Sequence, residues 1–306
     1  MFARGGSPSD IVQQMQLFFY PLLFNDCLVD TIPLFPNTNG SNVSTDMSEL
    51  ETSNFFRRTV ISSGDYARFI GKYFKTVFKP PYEWKQVIRH VDELGTYSTP
   101  LVLITNFLIG AILALQARPT MEDFGAAGFL PALVTRSLTI ELSPVITALI
   151  VAGRVSSGIG AELGSMRVTE QIDAMECSGV DPYNYLVTTR ITAMIILMPI
   201  LTIMADFVGI FGSFVAEFIA TGATLQLYYQ KVQEYLLFWD VIPGIMKTAL
   251  FGFAIALIGA YKGFNTESGT QGVGRATTSA VVLASLWILV IDLLVVKLLV
   301  TFRPDL

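Results

Sequence analysis

Charged residues are scarce in this chain. They make up 15% of its 306 residues, while hydrophobic residues make up 52% and the mean hydropathy is +0.54. A typical soluble domain has about 25% charged residues. The composition therefore excludes an ordinary soluble domain and predicts a protein that crosses a membrane several times. The net charge of −5 is small and indicates no class of partner.

Cysteine and histidine are almost absent. The cysteines Cys27 and Cys177 lie far apart, and His90 is the one histidine in the sequence. This pattern excludes a disulfide framework and the residue spacings of zinc sites. No arrangement of nucleophile and base stands out. The sequence therefore predicts no metal site and no catalytic residue, and we expect a protein that is not an enzyme.

A nucleotide-binding loop is also missing. The stretch from Gly64 to Lys72 has the wrong glycine spacing for a phosphate-binding loop and lacks the Ser or Thr that should follow the lysine. If ATP drives this protein, another chain must bind the ATP and its magnesium ion. The few basic residues lie beside apolar stretches, so we expect no nucleic-acid partner.

The first 95 residues divide into two parts. Residues 1–54 form an N-terminal extension whose second half is rich in Asn, Ser and Thr, and we interpret that half as a disordered linker. Residues 55–95 are predicted to form amphipathic elbow helices at the membrane interface, with Pro80 and Pro81 between them. The first helix has an apolar face at helical spacing, formed by Tyr66, Phe69, Ile70, Tyr73, Phe74, Val77 and Phe78.

Long apolar stretches occupy residues 96–303. Because about 20 apolar residues cross a bilayer, we predict spans near 97–117, 132–157, 188–220, 243–263 and 276–302. The expected fold is an all-α membrane protein with about five transmembrane helices. Basic residues are richer before the first span and after the second and fourth, which predicts a cytoplasmic N-terminus and a C-terminus on the outer side.

One charged stretch, "GIGAELGSMRVTEQIDAMECSGVDP", separates the second and third spans. Its apolar residues recur at near-helical spacing from Ile159 to Met175, and Gly179 and Pro182 are typical of a helix end. We expect a helix over residues 159–178 on the cytoplasmic side. Acidic residues are unfavourable beside an anionic leaflet, so this helix is expected to bind a partner protein. The polar residues expected to contact that partner are Glu162, Arg167, Thr169, Glu170 and Asp173.

Ionisable residues also occur within or beside the predicted spans. They are Glu141, Asp206, Lys247, Asp292 and Arg275. Such groups are costly in a membrane and usually face the protein interior or a water-filled cavity. Two interpretations remain open: a polar lining for lipid headgroups, or ion pairs that join helices, such as Lys247 with Asp206 or Asp292. Gly209 and Gly212 are expected to allow close contact between helices.

Two stretches resemble a known family. Residues 141–187, "ELSPVITALIVAGRVSSGIGAELGSMRVTEQIDAMECSGVDPYNYLV", and residues 272–282, "GVGRATTSAVV", resemble the MlaE/YrbE permeases, and "NFLIGAILALQ" at 106–116 is a third match. The resemblance covers about residues 55–302. It implies the membrane subunit of an ABC transporter that moves phospholipids between membranes.

The resemblance also implies partners. They are a second copy of the chain in a homodimer, a cytoplasmic ABC ATPase that binds ATP and magnesium, an MCE-domain protein on the outer side, and the phospholipid. The charged helix then resembles a coupling helix that fits a groove in the ATPase. The expected location is a Gram-negative bacterial inner membrane, with the chloroplast inner envelope as the alternative.

The first span could line the path of the lipid between two copies. Ile109, Leu113 and Gln116 share one face of that span and are expected to contact lipid, although simple helix packing explains the same pattern. A different class of function also stays open. A stand-alone channel or a proton-coupled carrier could use the intramembrane carboxylates and would need no ATPase.

Overall fold

The computed structural model describes residues 64–78, 83–235, 238–266 and 269–302. The predictions for residues 1–54 and 55–63 therefore lie outside the described residues. The described part is built of helices and contains no strand. We number the helices in chain order. They are α1 (64–77), α2 (Trp84–Asp123), α3 (Ala127–Val168), α4 (Gln171–Cys177), α5 (Tyr183–Thr221), α6 (Leu225–Tyr235), α7 (Phe238–Phe264) and α8 (Thr270–Phe302).

Five of these helices are long and apolar enough to cross a membrane: α2, α3, α5, α7 and α8. This confirms the prediction of an all-α membrane protein with five spans. The connections between successive spans place the start of α2, the end of α3, the start of α5, the end of α7 and the start of α8 at one end of the bundle. We call residues 169–182 the connector, that end the connector face, and the other end the opposite face.

Helix α2 shows that the predicted boundary between the second elbow helix and the first span was wrong. The second elbow helix, predicted to end near Gly95, is instead the beginning of the 40-residue helix α2. Helix α2 packs along α5, and the position of a Cβ at Gly95 would lie 2.9 Å from the Leu197 side chain. Gly95 lies at the expected boundary between the second elbow helix and the first span. A glycine there would weaken a helix, but packing against Leu197 stabilises one continuous helix.

Two apolar clusters hold the spans together. The larger cluster joins α3, α5 and α7, and it includes Val102 of α2 and Ile172 of the connector. The smaller cluster lies nearer the opposite face and contains Ala114, Leu130, Val134, Leu138 and Ala216. Helix α8 packs on α7 and α3, and its outer side exposes large apolar side chains such as Trp287 and Leu293. That exposed side suits contact with lipid or with another membrane helix.

Helix α1 packs part of its aromatic face on the protein, while Phe74 and Phe78 of the same face are exposed. Tyr73 is buried and its hydroxyl lies 3.3 Å from Thr192 Oγ1, while the Phe69 ring contacts the rings of Tyr183 and Tyr261. The basic side chains on the other face of α1 are exposed. The amphipathic pattern therefore places α1 against α5 and α7, and its predicted position in the membrane interface stays a prediction.

Candidate functional site

The connector follows directly from an extension of the second span. Helix α3 continues to Val168, well past the predicted end of the span at residue 157, and the chain then turns at Thr169 and Glu170. The Thr169 hydroxyl donates to the Ser165 carbonyl at 2.9 Å, and Glu170 has a left-handed backbone with φ of 59°. The left-handed backbone at Glu170 ends the helix because it turns the chain away from the helix axis. The single helix predicted over residues 159–178 is therefore two helices.

Helix α4 is short but firmly attached. Ile172 is 1% exposed and belongs to the larger apolar cluster, while Arg167 bridges the turn through a 2.5 Å contact between its Nη1 and Asp173 Oδ1. Gly179, with φ of 78°, ends the helix as its sequence position predicted. The remaining polar side chains, including those of Thr169 and Glu170, are exposed. The connector thus presents an exposed, mostly acidic surface on a fixed backbone.

Arg190 links the extension of α3 to the start of α5. Its side chain is 3% exposed, and its Nη2 lies 2.6 Å from Glu162 Oε1. Its Nη1 donates to the Leu186 carbonyl at 2.7 Å. The sequence analysis predicted no ion pair for Arg190. An arginine that directly precedes a long apolar stretch was the available signal, because such a residue needs a partner when it is buried.

A second polar cluster lies inside the membrane part, toward the opposite face. Lys247 is 1% exposed, and its Nζ donates to Glu141 Oε2 at 2.7 Å and to Asp292 Oδ1 at 2.9 Å. These side chains join α7, α3 and α8. Glu141 lies in a π-helical turn of α3, Leu138–Leu142, a wider turn that changes the direction of the side chains. We call Glu141, Lys247 and Asp292 the charged triad.

Close packing allows the charged triad to form. Gly244 lies one turn before Lys247, and a Cβ at Gly244 would lie only 2.5 Å from the Thr139 carbonyl oxygen of α3. Any side chain at Gly244 would separate α7 from α3 and lengthen the contact between Lys247 and Glu141. The triad therefore depends on a glycine in α7 as well as on its three charged residues.

Asp206 and Arg275 do not join the triad. Asp206 of α5 is 6% exposed, and its Oδ1 has no hydrogen-bond partner among the described residues. Arg275 is exposed in the first turns of α8, about 25 Å along the helix from Asp292 at 1.5 Å per residue. Of the two pairings proposed for Lys247 from the sequence, the structure contains the one with Asp292 and not the one with Asp206.

The three residues predicted to line a lipid path share one region of α2. Ile109 and Leu113 are partly buried against the smaller apolar cluster, while Gln116 is exposed. Nearby, a Cβ at Gly110 would lie 1.9 Å from the Gly209 carbonyl oxygen, and one at Gly212 would lie 2.2 Å from that of Phe107. The expected close contact at Gly209 and Gly212 is therefore present. Ile109 and Leu113 have a packing role here, and lipid contact by all three residues stays a prediction.

A small cavity lies on the connector face between α2, α3 and α5. Its volume is about 210 Å³, and its polar lining comes from His90, Glu93, Tyr97, Arg154, Glu162 and Arg190. Arg154 belongs to a second π-helical turn of α3, Ala152–Ser156, and its Nη1 donates to the Tyr97 carbonyl at 2.6 Å. Sequence analysis did not predict this cavity.

Comparison with known proteins gives a consistent result. Residues 87–298 match the family model "Permease MlaE". A probable ABC transporter permease protein of Rickettsia typhi is 40% identical over 238 residues, which cover 78% of this chain and 92% of the relative.

More distant relatives carry more specific names. The intermembrane phospholipid transport system permease protein MlaE of Haemophilus influenzae is 32% identical over 70% of this chain and 82% of its own length. The chloroplastic protein TRIGALACTOSYLDIACYLGLYCEROL 1 of Arabidopsis thaliana is 31% identical over 72% of this chain and 63% of its own length. The five-span fold, the match over residues 87–298 and the extent of these similarities show that the chain belongs to the MlaE family of ABC transporter permeases.

Proposed function

We propose that this chain is the membrane subunit of an ABC transporter that moves phospholipids between membranes, with a separate ATPase bound at the connector. Two copies of the chain would form the transport unit, and an MCE-domain protein would bind on the outer side. The name of the Haemophilus influenzae relative supports phospholipid as the substrate. The same relative favours a bacterial inner membrane, while the Arabidopsis thaliana relative supports the chloroplast envelope as the alternative.

The carrying observation is the exposed acidic surface of the connector, which is anchored to the end of α3. Between residues 165 and 181 the exposed charged side chains are Arg167, Glu170, Asp173, Glu176 and Asp181, one positive against four negative. Ile172 and the Arg167–Asp173 ion pair hold this surface to the end of α3. A basic groove on the ATPase would complement it, and a movement of that groove would act directly on α3. Such charge complementarity controls both association and specificity.

Charge reversal on the connector tests the proposal. Glu170→Lys and Asp173→Lys should each reduce co-purification of the ATPase by about tenfold or more, since like charges across an interface cost several kcal/mol. The measurement is the amount of ATPase retained by the tagged chain from its native membrane. Asp123→Lys is the matched control, because Asp123 is also exposed but lies on the opposite face.

Normal retention of the ATPase by both connector variants would contradict the docking role. A purified chain that carries ions or dissipates a pH gradient in vesicles without any ATPase would favour the carrier alternative. Asp206, buried without an ion pair among the described residues, is the carboxylate to replace in that case.

A further inference from the structure

The cavity on the connector face lies where three long apolar stretches end, which is the depth expected for lipid headgroups. Three helices line the cavity, each at the end of its apolar part. Residues 90–97 precede the apolar part of α2, residues 154–162 follow the apolar part of α3, and Arg190 precedes the apolar part of α5. Tyr97 is 63% exposed, as is common for aromatic residues at the membrane surface. A lipid in that leaflet could therefore reach the cavity from the side.

The lining offers charges of both signs. Arg190 is held in place by Glu162 and the Leu186 carbonyl, which use two of its five N–H groups. The Arg154 guanidinium reaches across to α2, where it lies 5.3 Å from the centre of the Tyr97 ring. Two guanidinium groups can bind one phosphate with charge-assisted hydrogen bonds. Glu93 and Glu162 add two carboxylates on the same walls.

The two guanidinium groups and two carboxylates of the lining favour a headgroup that carries both a negative and a positive charge. A headgroup with only negative charge would face two carboxylates as well as two guanidinium groups, which is unfavourable. A quaternary ammonium group has no N–H to donate and is usually bound over an aromatic face. The Arg154 guanidinium already lies over one face of the Tyr97 ring, where it competes with a second cation. A primary ammonium group next to a phosphate satisfies both sets of charges.

We infer that this cavity binds the phosphoethanolamine headgroup of a phospholipid in the connector-face leaflet. The phosphate contacts Arg154 and Arg190, and the ammonium group donates to Glu93 and Glu162. The apolar side chains of Leu94, Val155 and Ile159 line the rest of the cavity, where the glycerol part of the lipid lies. This site is formed within one chain and does not depend on transport or on the ATPase.

Two glycines of α3 give a matched pair of variants. Gly158 lines the cavity, Gly153 does not, and a Cβ at either position would meet no atom within 4 Å. Each position therefore has room for a Cβ, and we expect Gly158→Leu, but not Gly153→Leu, to fill the cavity. The full-length chain, purified in one detergent, is mixed with equal amounts of phosphatidylethanolamine, phosphatidylcholine and phosphatidylglycerol of the same acyl chains. Bound lipid is counted by native mass spectrometry.

We expect the wild-type chain and Gly153→Leu to retain one more phosphatidylethanolamine per chain than Gly158→Leu. Arg154→Gln should weaken retention of that lipid by about tenfold, as expected for the loss of a charge-assisted hydrogen bond. Glu93→Gln should remove the preference for phosphatidylethanolamine over phosphatidylcholine while leaving the chain folded, because Glu93 makes no ion pair within the described part of the chain.

Equal retention of phosphatidylethanolamine by Gly158→Leu and Gly153→Leu would overturn the assignment. A preference for phosphatidylglycerol in the wild-type chain would overturn the choice of headgroup. Displacement of the lipid by micromolar glycerophosphoethanolamine would assign the site to a soluble ligand instead of a membrane lipid. Loss of ATPase binding by Gly158→Leu with unchanged lipid retention would show that the cavity belongs to the protein interface. None of these results depends on the charge-reversal test of the connector.

Discussion

At the scale of single residues, the membrane part contains two carboxylates in different surroundings, the partly buried Asp292 and the buried Asp206. Asp292 accepts a hydrogen bond from Lys247 and forms an ion pair with it, whereas Asp206 has no ion pair among the described residues. A buried charge without a partner is unfavourable, because nothing replaces its lost hydration. The same substitution should therefore have different effects at these two positions.

We expect Asp292→Asn to lower the stability of the chain by roughly 1–3 kcal/mol, the usual range for losing a hydrogen bond between charged groups. Lys247 keeps Glu141 in this variant, so the fold should persist. Asp206→Asn removes an ionisable group that has no ion pair among the described residues, and it should leave stability unchanged or raise it. Thermal unfolding of both variants in the same detergent compares them directly. Equal destabilisation by the two substitutions would show that the ion pair with Lys247 does not make Asp292 more important for stability than Asp206.

At the scale of the helices, the close contact between α2 and α5 depends on glycines, which have no side chain. The Cβ of an alanine at Gly110 would overlap the Gly209 carbonyl oxygen at 1.9 Å, and backbone atoms cannot move aside as a flexible side chain can. In membranes, small residues allow such close packing, which compensates for the weak hydrophobic driving force between helices.

Gly110→Ala should therefore destabilise the chain by roughly 1–3 kcal/mol, in the range of overpacked cores. Gly153→Ala is the matched control, because its Cβ would meet no atom within 4 Å. The measurement is thermal unfolding in detergent, together with the fraction of protein that elutes as a single species. A variant at Gly110 as stable as the control would contradict the close contact between α2 and α5.

At the scale of the whole molecule, the five spans place the connector and the end of α2 on different sides of the membrane. The charge bias of the loops predicts that the connector is cytoplasmic. Cys177 is exposed in the connector, and Asp123 is exposed at the end of α2. These two positions can report orientation in the intact membrane.

In a chain with Cys27→Ser, Cys177 should react with a membrane-impermeant maleimide in inside-out vesicles and stay unlabelled in right-side-out vesicles. A chain with Cys27→Ser, Cys177→Ser and Asp123→Cys should show the reverse. Labelling of both positions from the same side would contradict five spans. Labelling of Cys177 only in right-side-out vesicles would reverse the predicted orientation and exclude docking of a cytoplasmic ATPase at the connector.

The sequence alone determined the class of the protein, because apolar runs are local and can be counted. Hydropathy predicted five spans, and the helices are those spans with extended ends. The resemblance carried by residues 141–187 predicted the family that the comparisons then showed. Gly179 and the glycine pair Gly209 and Gly212 were also interpreted correctly, since a positive φ or a close helix contact requires a small residue.

Tertiary structure decided which charged groups meet. Lys247 and Glu141 are 106 residues apart, and their contact depends on a π-helical turn in α3 and on the close approach allowed by Gly244. Contacts between distant helices decide three other features in the same way. These are the turn at Glu170, the burial of Arg190 beside Glu162, and the aromatic packing of α1. Helical periodicity gives the face on which a side chain lies. It does not give the rotation and separation of the neighbouring helix, and these set the distance between two charges.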